Sequence, residues 1–147
     1  MDWKEYEPYW TRVEPLMTTK LEALKQVLEG KTPYTLSEIF KGGDDEFRMS
    51  LDLRRGDVTV LGMDFILLDA DVNGADEGVG IKLDLIGYGG LMLGGYAPYN
   101  YTDDAFTTDL DEVAARVEQL DVDELSTYIL TNALTNETLL RELEKAD

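Results

Sequence analysis

Apolar side chains recur every three or four residues at the start of the chain, which is the spacing of one helix face. The stripe begins with Trp3, Tyr6, Trp10 and Val13 and continues to Leu28. The pattern predicts a helix over residues 2 to 29 that ends at Gly30. Pro15 lacks the amide hydrogen that a helix interior uses, so we expect a kink or a fresh start there.

The segment after Gly30 has the spacing of a capping box. Thr35 is followed three residues later by Glu38, and two glycines, Gly42 and Gly43, come shortly after. A capping box satisfies two amide groups at the start of a helix. The spacing therefore predicts a short helix from Thr35 to about Phe40.

The period changes to two in the middle of the chain, which is typical of strands with one solvated face. Alternation over residues 47 to 54 predicts a first strand, and Gly56 with Asp57 predicts the turn after it. A second strand is expected from Val58 to about Leu68, with Gly62 as a candidate bulge, and a third from about Val79 to Ile86. A fourth strand, broken by glycines, is expected around Leu91 to Leu93.

The last third returns to helical spacing and carries cap signals. Asp109 with Glu112 and Asp121 with Glu124 are capping pairs ahead of apolar stripes. A last helix begins after Thr135 or continues the preceding one. The predicted fold is α+β: an antiparallel meander of three to four strands, covered by N-terminal and C-terminal helices in the order α-α-β-β-β-(β)-α-α.

Composition narrows both the architecture and the chemistry. With 147 residues, 44% of them hydrophobic, and no low-complexity linker, we expect one domain over residues 1 to 147. There is no cysteine and no histidine, which excludes disulfides, thiolate nucleophiles, the usual zinc sites and triads with an imidazole base. We expect no catalytic residues and no cofactor. No apolar run approaches the roughly 20 residues of a membrane span, and the N-terminus does not resemble a signal peptide, so a cytoplasmic protein is expected.

Charge is distributed unevenly along the chain. Residues 1 to 56 contain 11 acidic and 9 basic residues, whereas residues 57 to 147 contain 20 acidic and 4 basic residues. The net charges are therefore −2 and −16, which give the total of −18. A field of this sign repels nucleic acids and anionic membranes and attracts basic surfaces. The sequence predicts a basic protein partner, with no direct nucleic-acid or membrane binding.

The acidic residues are densest around the predicted C-terminal helices, where Arg116 is the one basic residue in the same stretch. Spacing places Asp111, Glu112 and Glu118 on the outer side of the first of these helices. Four tyrosines in the preceding glycine-rich segment offer rigid contact area with a polar tip. The candidate partner-binding residues are Asp103, Asp104, Asp109, Asp111, Glu112, Glu118, Asp121, Asp123 and Glu124, with Tyr96, Tyr99 and Tyr101.

The stretch DADVNG, residues 69 to 74, matches the first half of a calcium-binding EF-hand loop. The candidate ligands are Asp69, Asp71 and Asn73. The twelfth position is Gly80 instead of the bidentate glutamate, and the flanking patterns are those of strands. Asn73-Gly74 is also the preferred centre of a type I′ hairpin. A structural turn is favoured, and Ca²⁺ binding stays as the alternative.

These patterns favour a small acidic protein that neutralises a basic, nucleic-acid-handling partner. Such proteins include immunity proteins and phage-encoded inhibitors of defence systems, some of which act by nucleic-acid mimicry. The alternatives are a module that binds or is stabilised by Ca²⁺ and a structural or assembly protein with an acidic solubilising surface. Adaptation to high salt is less favoured, because lysine (7) is not depleted relative to arginine (6) and the first 56 residues are nearly neutral.

Overall fold

The computed structural model describes residues 3–42, 47–69, 78–95 and 106–146. In these ranges, one α-helix precedes the strands and three α-helices follow them. The elements are α1 (Trp3–Glu29), β1 (Thr35–Leu36), β2 (Phe40–Lys41), β3 (Arg48–Arg55), β4 (Val58–Asp69), β5 (Val79–Gly87), β6 (Leu91–Gly95), α2 (Leu110–Glu118), α3 (Val122–Tyr128) and α4 (Glu137–Lys145). A 3₁₀ turn, Tyr88–Gly90, joins β5 to β6, and a π-helical turn, Ile129–Ala133, extends α3.

The strands form one antiparallel sheet in the order β1-β3-β4-β5-β6, and β2 pairs with β3 beside β1. The α+β class and the central meander are confirmed. The strand number exceeds the predicted three to four, because the segment expected to form a short helix makes two-residue strands instead. The amide of Ser37 donates to the Asp52 carbonyl, and the Asp52 amide donates to Ser37 Oγ, both at 2.9 Å. Pairing with β3 and burial of Leu36 therefore override the capping-box signal.

Helix α1 contains both Pro8 and Pro15 and continues through them, so the fresh start at Pro15 is wrong, and the alternative of a kink stays a prediction. A proline in a helix interior costs about 3 kcal/mol. Val13, Met17 and Leu21 are completely buried on the inner face of the same helix. Burial contributes about 1.5–3 kcal/mol for each such side chain, which is enough to hold the helix together across the proline.

One face of the sheet carries the hydrophobic core. Cross-strand partners on this face, such as Leu51 with Met63 and Met63 with Leu85, are essentially inaccessible to solvent. Helix α1 packs on β3 and helix α2 on β5, and Leu139 of α4 lies against Gly87. Helices from both ends of the chain thus cover the same face, which places α2 and α3 beside α1.

The opposite face of the sheet is polar. Ser50 Oγ donates to Asp64 Oδ1 at 2.6 Å across strands β3 and β4, and Lys82 Nζ pairs with Asp84 Oδ2 at 2.9 Å on β5. The register of β3 against β4 shifts between Leu53 and Arg54, which leaves Val60 as the extra residue. The bulge is therefore at Val60, and the candidate bulge at Gly62 is wrong, because Gly62 pairs regularly with both neighbouring strands.

Side-chain caps define the starts of the C-terminal helices. The predicted caps at Asp109 and Asp121 are confirmed, and α4 begins after an Asn136 cap whose Oδ1 accepts from the Leu139 amide at 3.0 Å. The last helix is therefore separate from α3. In the part of the chain that the structure describes, no helix combines the length and the hydropathy that a membrane crossing requires.

Candidate protein-binding surface

The outer side of α2 and α3 presents a row of carboxylates. Val113, Ala114 and Val117 turn the apolar side of α2 toward the core, so its charged residues point away from the sheet. All seven described members of the predicted acidic set are exposed: Asp109, Asp111, Glu112, Glu118, Asp121, Asp123 and Glu124. The prediction from helical spacing that Asp111, Glu112 and Glu118 point outward is therefore confirmed.

Cations screen the α2 end of this row. Arg12 of α1 places Nη2 3.3 Å from Asp111 Oδ1, and Arg116 places Nη2 2.8 Å from Glu112 Oε1. Sequence reasoning counted Arg116 and missed Arg12, which lies 99 positions from its partner. The side chains of Arg12 and Asp111 are 47% and 89% exposed, so this pair is worth at most about 1 kcal/mol. Its effect is to reduce the local negative potential.

A relay through Thr107 fixes the first turn of α2. Asp109 Oδ1 accepts from the amides of Asp111 and Glu112 at 2.9 and 3.4 Å. The Asp109 amide donates to Thr107 Oγ1 at 3.1 Å, and the Thr107 hydroxyl donates to Glu112 Oε2 at 2.9 Å. The Glu112 carboxylate is thus committed to Thr107 and Arg116, which makes it less available to a partner.

The junction between α2 and α3 differs from the α2 end. No lysine or arginine nitrogen of the described ranges lies within 4.0 Å of the carboxylates of Glu118, Asp121, Asp123 or Glu124. Lys20 of α1 reaches this junction and donates to the Leu120 carbonyl at 2.8 Å. Asp121 Oδ1 caps α3 by accepting from the Glu124 amide at 3.1 Å. We call these four residues the junction carboxylates.

A shallow groove runs from the junction carboxylates along α3 and the π-helical turn. It encloses about 420 Å³. Its lining consists of Asp123, Glu124, Thr127, Tyr128, Thr131 and Asn132. Asp123, Thr127 and Thr131 follow one another at steps of four, so they form one strip of the helix surface. The groove thus has two carboxylates at one end and mainly carbon along its length.

A second group of carboxylates lies on the polar face of the sheet. Asp52 and Asp64 share a hollow of about 570 Å³ with Asp57 and Tyr88. Burial raises the pKa of Asp52, the Arg54 charge opposes this rise, and the nearby Asp64 carboxylate adds to it. Arg48 lies 4.0 Å from Asp64. Period-two alternation could have placed these residues on one face, but cross-strand register was needed to bring them together.

Several predicted site residues fall outside the described ranges. They are Asp71, Asn73, Tyr96, Tyr99, Tyr101, Asp103 and Asp104, together with the side chain of Asp69. The calcium alternative and the tyrosine contacts therefore stay predictions. Among the residues that are described, no group of three or more acidic side chains is arranged to hold a metal ion.

The junction carboxylates and the adjoining groove form an exposed acidic surface that makes no ion pair with the described lysines and arginines. Searches of protein-family models, of curated proteins and of solved structures give no match to this chain.

Proposed function

We propose that this chain is a small binding protein that neutralises a basic protein partner. The observation that supports this proposal is the set of four exposed junction carboxylates, none of which has a cation within 4.0 Å among the described residues. Uncompensated surface charge of one sign accelerates association with a surface of the opposite sign and selects against like-charged partners. The junction of α2 and α3 is therefore the contact point of the proposed complex.

The partner is a protein that handles nucleic acid. Such proteins hold phosphates with lysine and arginine, and carboxylates displayed at intervals along a helix offer the same cations an alternative anion. The mechanism is occlusion: the acidic surface pairs with the partner's basic residues and blocks its substrate path. An immunity protein or a phage-encoded inhibitor works in this way. In this proposal the chain acts in the cytoplasm, needs no cofactor and catalyses no reaction.

The test is capture of a basic protein by the immobilised chain from a lysate of its source. The charge-reversal variant is Glu118→Lys, Asp123→Lys and Glu124→Lys, with Asp121 left intact because it caps α3. The matched control reverses three exposed carboxylates of α1, Glu7, Glu22 and Glu29, and changes the net charge by the same amount. We expect one basic protein to bind at low salt, to be released at about 0.5 M salt because screening shortens the range of the interaction, and to be lost in the first variant.

The two variants separate a specific surface from a solubilising one. If acidity only maintains solubility, both variants will behave alike, because they carry the same net charge. Capture that survives the junction reversal and is lost in the α1 control would refute the proposed surface. Inhibition of the captured protein's nucleic-acid binding by the wild-type chain would then establish occlusion.

A further inference from the structure

Hydroxyl groups along the groove direct their donors into the helix. Thr127 Oγ1 donates to the Asp123 carbonyl at 3.0 Å, and Thr131 Oγ1 donates to the Thr127 carbonyl at 2.8 Å. A threonine hydroxyl has one hydrogen to donate, so these two side chains offer a ligand only acceptor lone pairs and methyl groups. The two threonines therefore present methyl groups to the groove, and their oxygen atoms can only accept hydrogen bonds from a ligand.

The remaining lining is mixed, because the Asn132 amide keeps a second hydrogen to donate beside its carbonyl oxygen. Asn132 Nδ2 uses one hydrogen on Thr131 Oγ1 at 3.0 Å, and the ring of Tyr128 is half-buried and packs on the core. Asp123 and Glu124 are both exposed at the end of the groove that faces the junction. The two carboxylates favour a ligand with a cationic head that has several donors, and the threonine methyl groups and the Tyr128 ring favour a carbon stem behind that head.

We propose that this groove binds an arginine side chain of the basic partner. The arginine stem lies against the threonine methyl groups and the Tyr128 ring, and the guanidinium donates to the Asp123 and Glu124 carboxylates. Arginine fits better than lysine, because its planar head has five donors, is less strongly hydrated and stacks on aromatic rings. The inference rests on the proposed function and gives it an anchor residue.

The direct test uses a fluorescently labelled peptide of nine arginines as the probe and a peptide of nine lysines for comparison. Fluorescence anisotropy at low salt gives Kd for three variants of the full chain. The first, Asp123→Asn with Glu124→Gln, neutralises the groove end. The second, Glu22→Gln with Glu144→Gln, removes the same charge from exposed positions outside both the junction and the groove. The third, Thr127→Lys, places a tethered ammonium in the groove and leaves both carboxylates in place.

We expect the groove-end variant and Thr127→Lys to weaken arginine-peptide binding about tenfold or more, and the charge-matched control about threefold or less, since exposed charges outside a binding contact contribute little. Amide resonances of Thr127, Tyr128, Thr131 and Asn132 should shift on titration of the wild-type chain with the arginine peptide. Urea midpoints of the variants show that each remains folded.

The outcomes distinguish the groove from the surface. If Thr127→Lys binds the arginine peptide as tightly as the wild type and no resonances shift along the groove, the groove is overturned and the junction carboxylates remain the proposed contact. Equal weakening by the groove-end variant and its control overturns both the groove and the junction. Equal affinity for the arginine and lysine peptides overturns the choice of arginine. Failure of the wild-type chain to bind either peptide at low salt overturns the inference and the proposed function together.

Discussion

Replacing Asp121 separates the structural and electrostatic roles of a single junction carboxylate. Its Oδ1 accepts from the Glu124 amide at 3.1 Å and so satisfies one of the amides that α3 leaves without a partner in its first turn. Asparagine is an equally good N-cap, whereas alanine cannot accept the bond, and loss of a cap costs about 0.5–2 kcal/mol. We therefore expect Asp121→Ala to lower the free energy of unfolding by about 1 kcal/mol and Asp121→Asn to leave it nearly unchanged.

Urea denaturation followed by circular dichroism measures this difference. With a slope of about 2 kcal/mol per molar urea, a loss of 1 kcal/mol moves the midpoint by roughly 0.5 M. The proposed function adds a second expectation: both variants should bind a basic partner more weakly, because both lack the charge. The reasoning about the cap fails if asparagine and alanine destabilise equally. The reasoning about the surface fails if Asp121→Asn binds the partner as tightly as the wild type.

Three further substitutions test other features of the structure. Asp52→Asn should raise the melting temperature at pH 7, because burial raises the pKa of Asp52 and folding therefore disfavours its charged form. Thermal scans at lower pH should show a smaller gain, since the wild-type carboxyl becomes protonated as the pH falls through its folded pKa toward the ordinary value of about 3.9. Arg12→Gln should cost less than about 1 kcal/mol in urea denaturation but tighten binding of the arginine peptide, since it unmasks a carboxylate. Gly78→Ala should destabilise the protein more than Gly56→Ala in urea denaturation. Both glycines have positive φ, which costs a residue with a Cβ about 1–2 kcal/mol, but at Gly78 the added Cβ would also lie 2.5 Å from the Thr107 backbone. Equal losses at the two glycines would contradict this contact.

Sequence patterns predicted the elements whose signal is compatible with only one kind of secondary structure. The alternation in β3 and β5 and the caps at Asp109 and Asp121 specify their elements directly, because the side chain that gives the signal also makes the contact. The capping box at Thr35 failed for the converse reason. Thr35 and Glu38 are the residue types that a capping box requires. Burial of Leu36 beside Leu53, however, stabilises the strand more than a short isolated helix would be stabilised.

The sequence predicted that the carboxylates of the candidate site are exposed, but it did not predict which of them pair with a cation. Helical spacing showed that Glu118 and its neighbours point outward. It did not show that Arg12 would reach Asp111, because a pairing between residues 99 positions apart depends on how α1 packs on α2. The groove was equally hidden. From the sequence, Thr127 and Thr131 are ordinary surface residues of a helix, and only the structure shows that their hydroxyl groups donate hydrogen bonds to the preceding turn.

The packing of α1 changes what the uneven charge of the sequence means for the folded protein. Basic residues from the nearly neutral first part of the chain are brought to the acidic last part: Arg12 contacts Asp111, Lys20 contacts the Leu120 carbonyl, and Arg55 contacts the Leu143 carbonyl. Lys20 binds a carbonyl in the link between the α2 C-cap and the α3 N-cap, whereas Arg55 binds a carbonyl in the last turn of α4, where it offsets the negative end of the helix dipole. None of these three cations lies within 4.0 Å of a junction carboxylate, so the packing of α1 leaves those side chains without an ion pair among the described residues.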